Sequence, residues 1–488
     1  MALWLSIYSV LSVVVHAIGV LNAAHAVMKV KSPRAAVAWG ISLSTFPWVA
    51  IPLYWILGKN KFQGYTEAVQ QAYREHRDLV SHAYNQILEF KTPLPAGFEE
   101  LAAVATRFTA LPFTLGNTLE LLVNGRQTFP RMLEAIATAN HYILLQTYIL
   151  HADDIGNQFK DALIARAQKG VRVYLLYDGI GSYSLSRRYL HELREHGVQV
   201  GCFRSSRGFN NPFQINFRNH RKILVVDGEI AFVGGLNIGD EYLGKDPKLG
   251  DWRDTHISVQ GPTVECLQTA FLQDWYWAQR EVLKVSWQTN KGPYQATSDR
   301  QTAFVLSTGP ADPQPVCSLF FLNLINRAQK RLWIASPYFV PDSSTLNALK
   351  LAAIRGVDVR ILLPAMPDQK LVYWCSFSYY DELKEVGIQV YRYQPGFMHQ
   401  KVILCDQEIA GIGTVNLDNR SFFLNFEVMT FIIDPNAATE PTSFINEVEA
   451  MLEADWQDSR LVDLSKYAQK PLWFKFLARV SRLLAPIL

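Results

Sequence analysis

The chain has 488 residues, with 47 Lys plus Arg against 44 Asp plus Glu and a net charge of +3. That length allows two or three domains with a sizeable core, and the near-neutral balance argues against the global basic field of a nucleic-acid binder. The five cysteines (Cys202, Cys266, Cys317, Cys375 and Cys405) are odd in number, scattered and without CxxC spacing, which argues against a disulfide framework or a zinc site.

The first element is apolar. "LWLSIYSVLSVVVHAIGVLNAAHA" has spanning length, and "AAVAWGISLSTFPWVAIPLYWILG" is a second such run. Between them "VMKVKSPR" is short and basic, with Pro33 as a breaker. These runs predict a transmembrane hairpin over residues 1–60, with helices at about 3–26 and 35–58. Ala24-His25-Ala26 imitates a signal-peptide cleavage site, but Met1 to Leu3 lack a basic start and a second apolar run follows at once. Trp4, Trp48, Tyr54 and Trp55 suit interface anchors.

Residues 61–100 read as a polar helical linker. The rest repeats itself, as halves over 101–295 and 296–465. "HYILLQTYIL" (141–150) parallels "RLWIASPYFV" (331–340), and a helical segment follows each. Lys169-Gly170 and Arg355-Gly356 close those helices, and a strand comes next. "ELREHGVQV" (192–200) then matches "ELKEVGIQV" (382–390). Alternating strands and helices argue an α/β fold. Two such halves pack most simply face to face about a pseudo-twofold axis. Glu192 to Glu382 is 190 positions and His220 to His399 is 179, so the first half carries eleven extra residues within Gly201–Asn219. With Phe203, Phe209, Phe213 and Phe217, that segment is a candidate cover for a site.

The strongest repeat is "HRKILVVDGEIAFVGGLN" (220–237) against "HQKVILCDQEIAGIGTVN" (399–416). His220 and Lys222 are two apart, so on a strand they share a face, as do His399 and Lys401. Asp227 and Asp406 complete the motif, yet they fall where a hairpin turn is expected, which favours a turn role over chemistry. Glycines follow, then Asn237 and Asn416 as side-chain donors. A structural repeat alone gives no reason to keep histidine and lysine on one strand face.

Lysine is a poor metal ligand at neutral pH, and no carboxylate cluster with metal spacing accompanies it, so neither metal nor other cofactor is implied. Two lysines and two amides suit the oxygens of a phosphodiester, where transition-state charge develops. Of two imidazoles, one can attack phosphorus and the other can move the proton of the leaving and entering alcohols. The residues alone do not say which does which.

The doubled H-x-K-x4-D-x6-G-x2-N pattern resembles the phospholipase D superfamily. With the hairpin, the "GTVNLDNRSFFLNFE" stretch (413–427) and a basic-apolar C-terminus, the chain most resembles bacterial cardiolipin synthases. The resemblance implies an α/β fold of two phospholipase D-like halves about a pseudo-twofold axis, behind the N-terminal hairpin. It implies a phosphatidyltransferase of the bacterial cell membrane, with phosphatidylglycerol as donor and acceptor. Cardiolipin and glycerol would be the products, without metal or nucleic acid. By resemblance His220 is the nucleophile and His399 the acid/base. Glu427 fits the family's downstream carboxylate for His399, which leaves Asp254 in "DWRD" as the candidate for His220. Where the superfamily often has serine, this chain has Gly235 and Thr414, so a phosphate-contacting hydroxyl is expected only from Thr414. The alternative is a hydrolase of the same superfamily that releases phosphatidic acid. Finally, residues 466–488 contain apolar positions at helical spacing with Lys475, Arg479 and Arg482 between, as in an interfacial helix able to meet anionic lipid.

Overall fold

The computed structural model describes residues 2–30, 32–58, 62–109, 111–204, 216–287, 301–440 and 443–488. They fall into two compact units, one of residues 1–64 with 205–217, the other of 65–204 with 218–488.

In the first unit the helix Ala2–Lys29 has a segment, Trp4–Lys29, long and apolar enough to cross a membrane. The second expected span is not one helix. It forms Pro33–Thr45 and Pro47–Leu57, of 13 and 11 residues. Pro47 has no N–H to give, and Phe46 leaves helical geometry at φ −130° and ψ 57°. One long membrane-length helix is therefore present among the described residues, where the sequence suggested two. Ala26, Leu43, Ala50, Ile51 and Tyr54 form a small core between the helices. Tyr54 faces inward to His25 Nδ1 at 2.8 Å, so it is no interface anchor, whereas Trp4 and Trp48 are exposed. Val13, Leu21, Val37, Phe46 and Val49 also point outward, the reverse of a surface made for water.

The second unit is built on strands. The first half supplies β1 (Thr114–Val123), β2 (Tyr142–Thr147), β3 (Arg172–Asp178), β4 (Gln199–Phe203), β5 (Arg218–Asn219), β6 (Ile223–Val226), β7 (Ile230–Gly234), β8 (Asp251–Arg253) and β9 (Thr255–Gln260). The second supplies β10 (Gln301–Thr308), β11 (Arg331–Ala335), β12 (Phe339–Val340), β13 (Asp358–Pro364), β14 (Gln389–Tyr393), β15 (Gly396–Met398), β16 (Val402–Cys405), β17 (Ile409–Gly413), β18 (Leu417–Asp418), β19 (Asn425–Ile433) and β20 (Ser459–Leu461). One order runs β4-β3-β2-β6-β7-β9-β1, and its mirror runs β14-β13-β11-β16-β17-β19-β10. The two meet where β1 pairs antiparallel with β10, so the halves join edge to edge in one sheet rather than face to face.

Local chemistry repeats with the topology. Asp153 caps the helix Asp154–Ala167 and Asp342 caps Ser343–Ile354, each accepting a backbone N–H. Gly170 and Gly356 then end those helices at φ 86° and 91°. Each half has its own apolar core. The helix Glu99–Phe108 contributes Leu101 and Ala105 to the second half's core, so it does not open the first half as its position in the chain suggested.

Candidate active site

Each histidine follows a short strand that leaves its own half. β5 pairs in parallel with the start of β19, and β15 pairs in parallel with β8. His220 N–H donates to Phe426 O at 2.9 Å, and His399 N–H donates to Arg253 O at 2.7 Å. The residue after each acceptor is a carboxylate, and the pairing carries it to the imidazole. His220 Nδ1 lies 2.9 Å from Glu427 Oε2, and His399 Nδ1 lies 2.8 Å from Asp254 Oδ2. The expected assignment is thus reversed: each half's carboxylate serves the other half's histidine. Sequence order places Asp254 after the first motif and Glu427 after the second, and the crossed strands exchange them.

A carboxylate on Nδ1 favours a proton there and a free Nε2, and His399 Nδ1 lies 2.9 Å from Lys401 Nζ as well. Glu427 is held in turn by Ser421 Oγ at 2.9 Å, Asn425 Nδ2 at 3.1 Å and Thr414 Oγ1 at 2.5 Å. Thr414 also contacts the Val428 backbone. Its hydroxyl thus helps to position Glu427, a role the sequence did not suggest. At the matching position, a Cβ on Gly235 would lie 2.0 Å from Asp254 Oδ1. Glycine there leaves the space that the carboxylate fills, where threonine in the other half donates to one.

Lys222 Nζ donates to the His220 carbonyl at 2.7 Å, and Lys401 Nζ donates to that of His399. All four side chains are buried. Burial pulls His220 down to about 4 and His399 to about 3, outweighing their carboxylates. It also pulls Lys222 to about 7 and Lys401 to about 8. Burial alone would raise Glu427 and Asp254, but the neighbouring histidines and lysines hold both below the usual carboxylate range. Lys401 acts on His220 and Lys222 acts on His399, so both pairs share one electrostatic site.

The remaining expected residues divide. Asp227 accepts the backbone N–H groups of Asn140, His141 and Tyr142 at 2.7–2.8 Å, and Asp406 accepts those of Gln329, Lys330 and Arg331. Both aspartates sit in turns at φ 55° and 54° and tie the hairpin to the entry of β2 or β11. They are structural clamps rather than catalytic groups. Asn237 is also engaged, accepting from Ile149 N at 3.1 Å and donating one N–H to Tyr242 Oη at 2.9 Å. Asn416 keeps a buried amide oxygen without a partner. Phe203 and Phe217 are buried, edge-on to Phe426 and Phe62 respectively, whereas Phe209 and Phe213 lie outside the described residues.

Sequence reasoning missed a buried ion pair beneath each motif. Asp274 pairs with Arg221 at 2.9 Å, and Asp455 pairs with Arg253 at 2.6 Å. The twin Asp-Trp pairs, Asp274-Trp275 and Asp455-Trp456, were the available signal. Arg253 therefore faces Asp455 and not the neighbouring Asp254 carboxylate.

Two like halves that trade histidine-orienting carboxylates around paired lysines define a phospholipase D-like protein. A family model described as "Cardiolipin synthase, PLD-like domain" matches residues 132–275 and 321–456. Cardiolipin synthase A of Pseudomonas fluorescens is 44% identical over 485 residues, covering 99% of this chain and 98% of that protein. Cardiolipin synthase A of Pseudomonas aeruginosa is 43% identical, covering 97% and 95%. The crystal structure of a phosphatidylserine synthase from Haemophilus influenzae shares the fold, with a TM-score of 0.62 and 16% identity over 80% of this chain and 100% of that one. The chain belongs to the cardiolipin synthase family of phospholipase D-like phosphatidyltransferases, and with it to enzymes that associate with membranes.

Proposed function

We propose that the protein moves a phosphatidyl group from one phosphatidylglycerol to the primary hydroxyl of another, giving cardiolipin and glycerol. His220 Nε2 attacks phosphorus, and the bond to the glycerol oxygen breaks as His399 gives that oxygen its proton. The anionic phosphodiester favours the protonated form of His399 on binding, and Asp254 stabilises the imidazolium. The acceptor hydroxyl then loses its proton to His399 and attacks, and the phosphorus–nitrogen bond breaks. Lys222 and Lys401 stabilise charge on the non-bridging oxygens, and the Nδ2 amide of Asn416 is the donor that joins them.

The observation that carries this reading is the exchange of Glu427 and Asp254 between halves, because it makes neither histidine competent without the other half. The helix Ala2–Lys29 anchors the enzyme in the bacterial cell membrane, with the two short helices packed beside it. Membrane anchoring keeps the covalent intermediate among lipid hydroxyls.

Mass spectrometry of products from purified protein in phosphatidylglycerol micelles tests the proposal. Cardiolipin and glycerol in equal amounts, with no added nucleotide or divalent metal, are expected. Predominant phosphatidic acid would replace this reading with a hydrolase.

A further inference from the structure

We propose that Trp252 is a positioning residue for the acid/base histidine: its indole steadies the Asp254 carboxylate and, with Phe397, clamps the His399 ring, where the other half sets a polar pair. This rests on the reading above, in which His399 moves the proton.

Two residues before each orienting carboxylate stands a side chain that holds it. Trp252 donates its indole Nε1–H to Asp254 Oδ2 at 3.4 Å, the same oxygen that lies 2.8 Å from His399 Nδ1. Asn425 donates from Nδ2 to Glu427 Oε1 at 3.1 Å. Glu427 has Ser421 and Thr414 besides. Asp254 has less. Among the described residues, His399 and Trp252 are the only side chains that hydrogen bond its carboxylate, and the Thr255 N–H joins them at 2.8 Å. A carboxylate that orients an imidazole must itself be held.

The crossed strands supply the rest of the clamp. β15 pairs with β8 in a register that sets Phe397 opposite Trp252, and their ring centroids are 4.9 Å apart. The indole lies 5.1 Å from the His399 imidazole, tilted at 57°, and the Phe397 ring lies 5.8 Å from it at 33°. Tyr242 packs edge-on to Trp252 at 4.7 Å, and its Oη accepts an Asn237 amide N–H at 2.9 Å. The asparagine of the first motif thereby braces the histidine of the second. All three aromatics are buried. β5 and β19 pair in the matching register, which sets Arg218 opposite Asn425 instead. The same positions thus carry two aromatic side chains at His399 and two polar ones at His220.

The difference suits the two tasks. The nucleophile becomes bonded to phosphorus, and that bond itself holds the ring. The acid/base histidine forms no bond to the lipid, yet it gives up a proton in one half-reaction and takes one in the next. Its ring must be held by the protein throughout. Apolar neighbours also disfavour the imidazolium, so protonated His399 parts readily with its proton.

The test uses full-length protein, phosphatidylglycerol as acceptor, and a phosphatidyl donor whose leaving group, p-nitrophenolate, needs no proton. Nitrophenolate released in the first turnover reports attack by His220. Steady-state release reports the acceptor step, in which His399 is the base. The first-turnover amplitude counts working sites, so both rates are independent of the folded fraction. Trp252→Phe keeps a ring and loses the N–H, and it should slow the steady state about tenfold. Trp252→Leu loses both and should slow it about a hundredfold, with the first turnover near native in each variant. Asn425→Ala should slow the first turnover instead. Equal losses in both phases, or a native-like steady state in Trp252→Leu, would overturn the clamp. Phosphatidic acid in place of cardiolipin from the native enzyme would overturn the transfer reading alone, because attacking water needs the same base and the two phases still separate.

Discussion

His220 and His399 are buried, each with a carboxylate of the other half within 2.9 Å of its Nδ1. His220→Ala and His399→Ala should each abolish turnover, because one carries the phosphatidyl group and the other moves the proton in both half-reactions. Lys222→Ala or Lys401→Ala should cost about a hundredfold or more in kcat, the usual loss for a donor to transition-state charge. The same lysines set the pH response. Burial lowers them to about 7 and about 8, so they lose charge as pH rises through that window. The histidines stay neutral down to about 4 and about 3, and the phosphodiester does not titrate in between. Because His399 must take up a proton with the substrate, kcat/KM is predicted to fall as pH rises above the histidine range, and to fall more steeply between pH 7 and 8 as the lysines lose charge. A rate still climbing at pH 9 would contradict the lysine assignment. Gly235→Ala makes a further check, since the added methyl meets Asp254 Oδ1 and should cut activity through a misplaced His399.

At the scale of elements, β5 and β15 do what sequence spacing could not announce. The paired apolar runs, the capping aspartates, the helix-ending glycines and the shared face of His220 and Lys222 are local, and local signals survive in sequence. The bond from His220 to Glu427 joins positions 207 apart, and that from His399 to Asp254 joins positions 145 apart. No periodicity encodes which half such a contact reaches, so the right carboxylates were found and matched to the wrong histidines. The helix Glu99–Phe108 was lost to the same cause: its apolar face is legible, its partner is not. The break at Phe46–Pro47 was legible in principle, but the apolar run around it masked the proline. Thr414 was read as a phosphate donor because sequence does not reveal that Glu427 lies within reach. The aspartate clamps are testable as elements. Asp406→Ala strands three backbone N–H groups and should cost on the order of 3 kcal/mol of stability, read as an earlier urea midpoint, with the folded fraction still turning over. Lost activity at unchanged stability would return Asp406 to the chemistry.

The whole molecule combines an apolar N-terminal unit with a catalytic unit whose C-terminal helix, Leu472–Leu483, exposes Leu472, Trp473, Phe476 and Leu483. Its other side docks on the protein through Phe474 against Phe377 and Arg482 against Glu382. The helix thus closes the core and also offers an apolar stripe to the interface. Full-length protein should stay in the membrane pellet through alkaline carbonate. Deleting residues 1–60 should weaken binding to anionic vesicles, and adding Trp473→Asp with Phe476→Asp should remove the remainder. Vesicle binding that survives both changes would assign the attachment elsewhere. The central claim concerns the halves together: one site, with orienting carboxylates exchanged. Mapping the trapped phosphatidyl adduct by peptide mass spectrometry tests it most directly. With a donor whose aryl leaving group needs no protonation, Asp254→Asn should impair His399 only as base for the acceptor and accumulate the adduct on His220, while Glu427→Gln should impair attack and leave His220 unmodified. An adduct accumulating on His220 in Glu427→Gln, and not in Asp254→Asn, would contradict the exchange.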